Sequence, residues 1–297
     1  MNNLKSILKK FDVKLNSCKY LGKVKILETD KGNFVYKENS NNYDIYEYLK
    51  THNFNYVPKI LNQKNDSYEL LEYIKEYDIS KEEKVKDLIH LSGILHRQTS
   101  YNKEIDLDLI KEEYETILNK ANYLMNYYID LNNYLDTITF MSPSEYLLVS
   151  NIDIIYYLLN FVKVEINNWY NFIKNEKTIR YSMIHNNLSI NHILEGDNKY
   201  LISWGKAKQD MPILDLIKIY EENYYDYNLE DLLNEYEHEN RLNRYEYLLF
   251  LIKIAIPKRI EFTKDTYLDC YKINNYLVYL SKIATLVQKN ELKNKKV

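Results

Sequence analysis

The spacing of apolar residues changes near residue 75, and this change limits the folds that the sequence can adopt. Before it, short apolar runs typical of strands occupy 19–37 and 67–74, and a helical pattern occupies 41–52 between them. After it, apolar residues recur at helical spacing over much longer stretches. A small sheet carrying one helix, followed by a larger helical region, is therefore predicted.

The predicted fold class is α+β with two lobes. We expect an antiparallel, β-rich lobe over residues 1–75 and a mostly helical lobe over 76–297, and 297 residues are enough to bury a sizeable core. The first helix of the second lobe should begin at Ser80, where the sequence resembles a capping box. Two long helical patterns, 107–135 and 143–173, predict a helical hairpin inserted over 107–173.

Composition and charge exclude several classes of protein. Lys and Arg number 40 against 43 Asp and Glu, so the net charge of -3 predicts no nucleic-acid partner. No apolar stretch approaches the roughly 20 residues of a membrane span, and the N-terminus lacks a signal-peptide pattern. Cys18 and Cys270 form neither a disulfide pattern nor a metal-ligand spacing. We therefore expect a cytoplasmic protein with no membrane partner.

Two further features of the composition bear on function. Only 5 glycines occur, so a glycine-rich loop that cradles phosphate cannot be built. The 32 tyrosines against 8 phenylalanines favour a compositional bias, because tyrosine packs as an aromatic while its hydroxyl reaches a polar partner. Cross-linking through tyrosine in an assembly is the less favoured interpretation.

The most informative stretch runs from Ile184 to Trp204. It reads Ile-His-Asn-Asn-Leu-Ser-Ile-Asn-His-Ile-Leu over 184–194 and Tyr-Leu-Ile-Ser-Trp over 200–204, and Asp210-Met211-Pro212 leads on to Asp215-Leu216. This pattern resembles the signature of the aminoglycoside phosphotransferase and choline kinase superfamily, which reads His-Gly-Asp, four residues, Asn-Ile-Leu and later Ile-Asp-Trp. The resemblance implies a protein-kinase-like fold with a catalytic loop at 185–204.

The first 75 residues agree with this resemblance. Phe34-Val35-Tyr36-Lys37 resembles the strand that carries the nucleotide-binding lysine, and Glu47 falls where its ion-pair partner is expected. Glu72 lies in a stretch similar to the hinge between lobes, so Lys37, Glu47, Glu72 and Trp204 are the implied cofactor-binding residues. The 107–173 hairpin, with its Ser142–Glu145 turn, most resembles the CotS-type, spore-coat-associated branch.

The catalytic positions hold residues that cannot perform phosphoryl transfer. That reaction needs a carboxylate to orient or deprotonate the acceptor and oxygen ligands for magnesium. The catalytic aspartate falls on Asn187, an amide that cannot accept the proton. The two metal ligands fall on His192 and Ser203, so no catalytic residue and no metal site is assigned. The resemblance implies ATP as a ligand, whereas the lost carboxylate argues against magnesium.

Other residues of the loop receive structural roles. The resemblance implies that His185 holds the loop and that Asp215 caps a helix and braces the loop backbone. Asn191 and Asp210 are the neighbours that would replace the lost groups if the loop were shifted.

Three functional hypotheses remain open at this point. The leading one is a pseudokinase, a scaffold or binding protein whose partners would be other spore coat proteins or a small molecule. The second is a working small-molecule phosphotransferase that uses displaced residues. The third is a sensor that binds nucleotide without metal. Fold alone does not choose between them.

Overall fold

A computed structural model describes residues 2–22, 24–38, 40–225, 227–263 and 265–294, without the side chains of residues 2, 3, 5, 229 and 291–294. The chain divides into two compact units: Met1–Ser100 with Ser182–Asp210, and Tyr101–Tyr181 with Met211–Val297. The predicted boundary at residue 75 differs from this grouping, since 76–100 and 182–210 group with the N-terminal sheet. The lobe boundary stays a prediction.

The first unit is built on a four-stranded antiparallel sheet in the order β1-β2-β3-β4. Its elements are α1 (Asn2–Lys9), β1 (Leu15–Leu21), β2 (Val24–Thr29), β3 (Gly32–Glu38), α2 (Tyr43–Thr51), β4 (Tyr68–Glu72) and α3 (Lys81–Thr99). A turn joins β2 to β3, and there Gly32 has φ 114°, which a residue with a Cβ rarely adopts. The predicted strands and the predicted helix between them are therefore present.

The core of this unit includes a helix that the sequence interpretation missed. Leu4, Ile7 and Leu8 of α1 pack with buried residues of the sheet, among them Leu27 and Leu70. The helix has only eight residues, and most of the stability of so short a helix comes from packing rather than from propensity.

Helix α3 begins as predicted. The hydroxyl of Ser80 accepts a hydrogen bond from the backbone N–H of Glu83 at 3.1 Å. Its apolar face is buried from Val85 to Leu95. Further along the chain this unit adds β7 (Ile193–Glu195), β8 (Lys199–Leu201) and β9 (Lys208–Asp210), and β7 contacts α3.

The second unit is mostly helical. Its elements are β5 (Tyr101–Glu104), α4 (Leu107–Asp136), α5 (Pro143–Val149), α6 (Ile152–Ile173), α7 (Ile213–Asn223), α8 (Leu229–Glu239), α9 (Arg244–Ala255) and α10 (Thr266–Asn294). Helices α4 and α6 pack together, as the predicted hairpin requires. The single helix predicted over 143–173 is instead two helices, because the chain breaks at Ser150 and Asn151 and bends by 45°.

Strand β6 (Thr178–Ile184) carries the chain into the candidate loop. In the second unit its residues 178–181 pair with β5, and in the first unit its residues 182–184 pair with β9. Arg180 anchors the strand, because its Nε donates to the buried carboxylate of Glu246 at 2.8 Å and its Nη1 donates to Asn240 at 2.9 Å.

The predicted α+β class is confirmed by these elements. In the part of the chain that the structure describes, no single helix is long and apolar enough to cross a membrane. The bent pair α5–α6 reaches that length and composition only when its two helices are taken together.

Candidate ligand-binding site

The lysine of β3 is paired with a buried carboxylate on the neighbouring strand. Lys37 and Glu69 are direct partners in the β3–β4 register, and the Lys37 Nζ lies 3.0 Å from the Glu69 Oε2. The Glu69 side chain is fully buried, whereas the Lys37 side chain is 20% exposed. Removing the lysine would leave a buried charge without its partner, a loss that typically costs about 3–5 kcal/mol.

The other oxygen of Glu69 is held by Asn42, at the start of α2. The Glu69 Oε1 accepts hydrogen bonds from the Asn42 Nδ2 at 2.8 Å and from the Asn42 backbone N–H at 3.3 Å. Tyr46 lies nearby, and burial, together with the negative charge of Glu69, raises the pKa of its phenol well above the usual value. Both oxygens of the carboxylate are thus engaged.

Asn42 also lies close to the second sequence motif. Its Nδ2 is 4.0 Å from the position that a Cβ atom on Gly205 would take. Gly205 lies in the short 3-10 turn Trp204–Lys206, directly after Ser203. The structure therefore brings the Lys37 strand and the end of the candidate loop together within one unit.

The prediction that Glu47 pairs with Lys37 is wrong. Glu47 lies on α2 and lines a separate cavity of about 330 Å³ with Lys50 and Phe54, among other residues. Strand register places Glu69 directly opposite the lysine, and Glu69 is the carboxylate that pairs with it.

The candidate loop is closed at its base by His185. The imidazole is fully buried, and its Nε2 lies 2.8 Å from the carbonyl oxygen of Ile202. A carbonyl oxygen can only accept a hydrogen bond, so Nε2 carries the proton. The ring also packs edge-on against Trp204, with the ring centroids 4.7 Å apart. This is the contact that a structural role for His185 requires.

His192 connects residues within the loop by hydrogen bonds. Its Nδ1 donates a hydrogen bond to the backbone carbonyl oxygen of Asn187 at 2.6 Å, and its own carbonyl oxygen accepts the Ile202 N–H at 2.9 Å. The structure thus joins Asn187 and His192, two of the three positions where the resemblance implies catalytic or metal-binding residues, by a direct hydrogen bond. Because the Nδ1 of His192 bonds to the backbone of Asn187, the histidine holds the loop by a hydrogen bond within the protein.

Two residues of the loop have left-handed backbones. Asn186 stands where the resembled family has glycine, and its φ is 57°. Asparagine tolerates this conformation better than most residues, and its side chain also donates to the Lys206 carbonyl oxygen at 3.2 Å. Ser203 has φ 72°, in a region that serine seldom adopts. The loop thus has asparagine and serine at its two left-handed positions.

The side chains present in the loop do not fit magnesium. An amide, an imidazole and a hydroxyl stand at the three positions, whereas Mg²⁺ requires hard oxygen ligands that include carboxylates. Across the described residues, no group of three or more His, Cys, Asp and Glu side chains is placed to hold a metal ion.

Asn191 and Asp210, the neighbours that would replace the lost groups if the loop were shifted, make the following contacts. Asn191 is exposed, in the short turn Ile190–His192. Asp210 lies on β9 opposite Ser182, and its carboxylate pairs with the Lys208 ammonium at 2.6 Å. The β6–β9 pairing holds Asp210 in the strand.

Three remaining predicted residues are placed as follows. Trp204 has no exposed surface, so its side chain is not accessible to a ligand in this conformation. The carboxylate of Glu72 accepts the backbone N–H of Lys59 at 3.0 Å. Asp215 is buried within the first turn of α7, three residues after the N-cap residue Pro212, and its predicted capping role stays a prediction. Its predicted contact with the loop stays a prediction.

Sequence reasoning missed Glu69 and Asn42. A signal for Glu69 was present, because a glutamate between Tyr68 and Leu70 interrupts an apolar strand and a buried charge requires a partner. Asn42 carried no comparable signal, since asparagine before a helix is common and here its side chain makes no capping hydrogen bond.

No family model matches the sequence, and a search of curated proteins finds no match. Solved structures do match. An aminoglycoside phosphotransferase from Alicyclobacillus acidocaldarius subsp. acidocaldarius DSM 446 has a TM-score of 0.70 at 12% identity, covering 98% of this chain and 96% of that one. The choline kinase LicA from Streptococcus pneumoniae has a TM-score of 0.50 at 14% identity, covering 93% and 99%.

An AMP-bound complex of the spectinomycin phosphotransferase APH(9)-Ia also matches, with a TM-score of 0.50 at 11% identity, covering 96% of this chain and 98% of that one. At such low identity these likenesses show the fold. The chain therefore has the kinase-like fold that aminoglycoside phosphotransferases and choline kinases share.

Proposed function

We propose that this chain is a pseudokinase, a kinase-fold protein that binds a protein or small ligand and does not transfer phosphate. The kinase-like fold supports the assignment to this class of protein. The chemistry of the candidate loop supports the statement that the protein does not transfer phosphate. Phosphoryl transfer depends almost entirely on positioning and on charge stabilisation by metal ions and charged side chains. A loop without those charges keeps the shape of a kinase and lacks its means of catalysis.

The observation that carries the proposal is the contact between two of the substituted positions. The imidazole of His192 donates to the backbone of Asn187, so the loop is held by an internal hydrogen bond at the place where the resembled family places a metal ligand. Neither residue offers a carboxylate to an acceptor hydroxyl or to magnesium.

The setting in a spore coat is part of the proposal and is supported by resemblance alone. The α4–α6 hairpin and the Ser142–Glu145 turn carry that resemblance. The hydroxyl of Ser142 and the carboxylate of Glu145 form a reciprocal capping box, so this turn is a well-defined feature of the hairpin. Other coat proteins are the partners that this setting implies.

A phosphoryl-transfer assay tests the proposal. Wild-type protein is incubated with ATP and magnesium and with a panel of hydroxylated and aminated small molecules, and transferred and released phosphate are measured. We expect rates at the level of the uncatalysed control. The variant Asn187→Asp with His192→Asn and Ser203→Asp restores the base and both metal ligands and serves as the matched comparison.

Magnesium-dependent turnover by the wild type that disappears in Asn187→Ala or Ser203→Ala would overturn the proposal. The variants Asn191→Ala and Asp210→Asn distinguish a second route to activity. Turnover that is lost in either of these would show that displaced residues perform the chemistry.

A further inference from the structure

A cavity of about 260 Å³ lies inside the second unit. Its walls come from the β5–β6 pair, from the first turns of α4, from the C-terminal half of α6 and from Met211. All of its lining residues belong to the second unit, whereas the candidate loop 185–204 belongs to the first. The cavity is therefore a feature separate from that loop.

The floor of this cavity is apolar. Ile110 of α4, Trp169 of α6 and Ile179 of β6 line it, and all three are buried. Ile179 lies opposite Lys103 in the β5–β6 register and two residues before Tyr181, so these side chains share one face of the strand pair. Such a surface fits the apolar body of a small organic molecule.

One polar group on this floor lacks a partner. The Trp169 side chain has no exposed surface, and its indole N–H finds no hydrogen-bond acceptor among the described residues. Buried donors are rarely left in this state, because an unsatisfied one is costly. The other tryptophan, Trp204, donates to the Leu201 carbonyl oxygen at 3.0 Å. The cavity borders the Trp169 ring, so an oxygen atom of a ligand inside it would supply the acceptor.

The rim of the cavity carries carboxylates. Glu104, Asp106 and Glu112 are exposed at the end of β5 and the start of α4, and Glu113 completes the set. Asp106 accepts hydrogen bonds at the N-terminus of α4, and Glu113 pairs with Lys253. Glu104 and Glu112 are thus the two carboxylates of the rim best placed to meet a ligand.

The charge of the lining selects the class of ligand. Lys103 is the one basic side chain among the described lining residues, and its ammonium lies 4.9 Å from the centre of the Tyr181 ring. It stands against four carboxylates, so the lining is net negative. We propose that this cavity binds a small organic amine, with its ammonium at Glu104 and Glu112, its apolar body on the floor and an oxygen acceptor at the Trp169 N–H.

Tyramine is the probe, because it combines an ammonium, a ring and a hydroxyl oxygen. Heteronuclear NMR follows the indole N–H signals of the two tryptophans, assigned from the signal that disappears in Trp169→Phe or in Trp204→Phe. We expect tyramine to shift the Trp169 signal saturably and to leave the Trp204 signal in place. Phenethylamine, which lacks the hydroxyl, should bind more weakly and shift the Trp169 signal less.

The role of the rim is tested with matched ligands and variants. Tyrosol, in which a hydroxyl replaces the ammonium, should bind the wild type about tenfold more weakly than tyramine does. The double variant Glu104→Gln with Glu112→Gln should lose tyramine affinity by about the same factor. Glu115→Gln is the control, because it removes a charge from the same helix outside the cavity lining, and it should bind tyramine as the wild type does.

Three results would overturn the inference. They are the absence of a saturable Trp169 shift with tyramine, equal affinities for tyramine and tyrosol, and equal losses in Glu115→Gln and the double variant. The first two are measured on the wild type, so they decide the question even if a variant fails to fold. None of these results involves nucleotide or phosphate transfer, so the pseudokinase proposal stands or falls separately.

Discussion

Glu195 and Asp87 place two carboxyl groups together where β7 contacts α3. Both side chains are buried, and the Lys199 ammonium on β8 pairs with Asp87. Burial, with a further contribution from the charge of Asp87, raises the pKa of Glu195 to about 7. In the folded protein Glu195 therefore holds its proton well above the pH at which a glutamate normally ionises.

This raised pKa predicts a specific dependence of stability on pH. The usual pKa of the side chain is 4.5, so the stabilisation from protonated Glu195 is complete below that pH. It is lost as the pH rises through about 7, where the folded protein must also ionise the group. We expect Glu195→Gln to remove this loss and to be more stable than the wild type at pH 8, by up to about 3 kcal/mol.

Urea unfolding at pH 5 and pH 8 measures the effect. The difference in unfolding free energy between Glu195→Gln and the wild type should grow between the two pH values. Glu115→Gln, at an exposed site on α4, is the control and should show no such change. An equal difference at both pH values would contradict the prediction.

The residues of the candidate site show what a sequence can reveal at this scale. Lys37, Asn187 and His192 could be found because a motif fixes their positions along the chain. The partner of Lys37 could not, because it depends on the register between β3 and β4, which no local pattern specifies. The left-handed backbone of Ser203 was also hidden, since serine seldom adopts it.

At the scale of elements, tyrosine hydroxyls fasten the segment that follows α9. Tyr128 on α4 is fully buried, and its hydroxyl donates to the Lys258 carbonyl oxygen and accepts the Ile260 N–H at 3.2 Å. Burial raises the pKa of this phenol, so it remains a neutral donor. Tyr127 likewise donates to the Ile260 carbonyl oxygen at 2.6 Å.

Tyr128→Phe is therefore expected to destabilise the protein. It keeps the ring but leaves the backbone groups at 258 and 260 without their partner, a loss of about 1–3 kcal/mol. Tyr146→Phe is the matched control, because that ring is 67% exposed. Chemical unfolding of both variants checks the prediction, and equal stability would contradict it.

Helices and strands that depend on tertiary packing were harder to predict than those with a strongly periodic spacing of apolar residues. Helices α3 and α4 follow from long apolar repeats and begin where the sequence indicates. The short α1 and β5 were missed, because eight and four residues carry too little pattern. The break between α5 and α6 was missed because apolar residues continue on both sides of it.

At the scale of the whole molecule, the kinase-like fold and the proposed absence of kinase chemistry have different foundations. The fold depends on apolar spacing distributed over the chain, and the polar residues Asn187, His192 and Ser203 are not part of that spacing. His185 and His192 hold the loop through hydrogen bonds to backbone carbonyl oxygens. Fold class was therefore predictable from the sequence, whereas the ligand depends on a few contacts that it does not specify.

The thermal unfolding midpoint in saturating ATP, with magnesium and with a metal chelator, tests the central claim most directly. A ligand that binds the folded state raises the midpoint, so the difference between the two conditions reports magnesium-dependent nucleotide binding. A protein without metal ligands at His192 and Ser203 should have the same midpoint in both conditions. A rise that requires magnesium and disappears in Ser203→Ala would contradict the account.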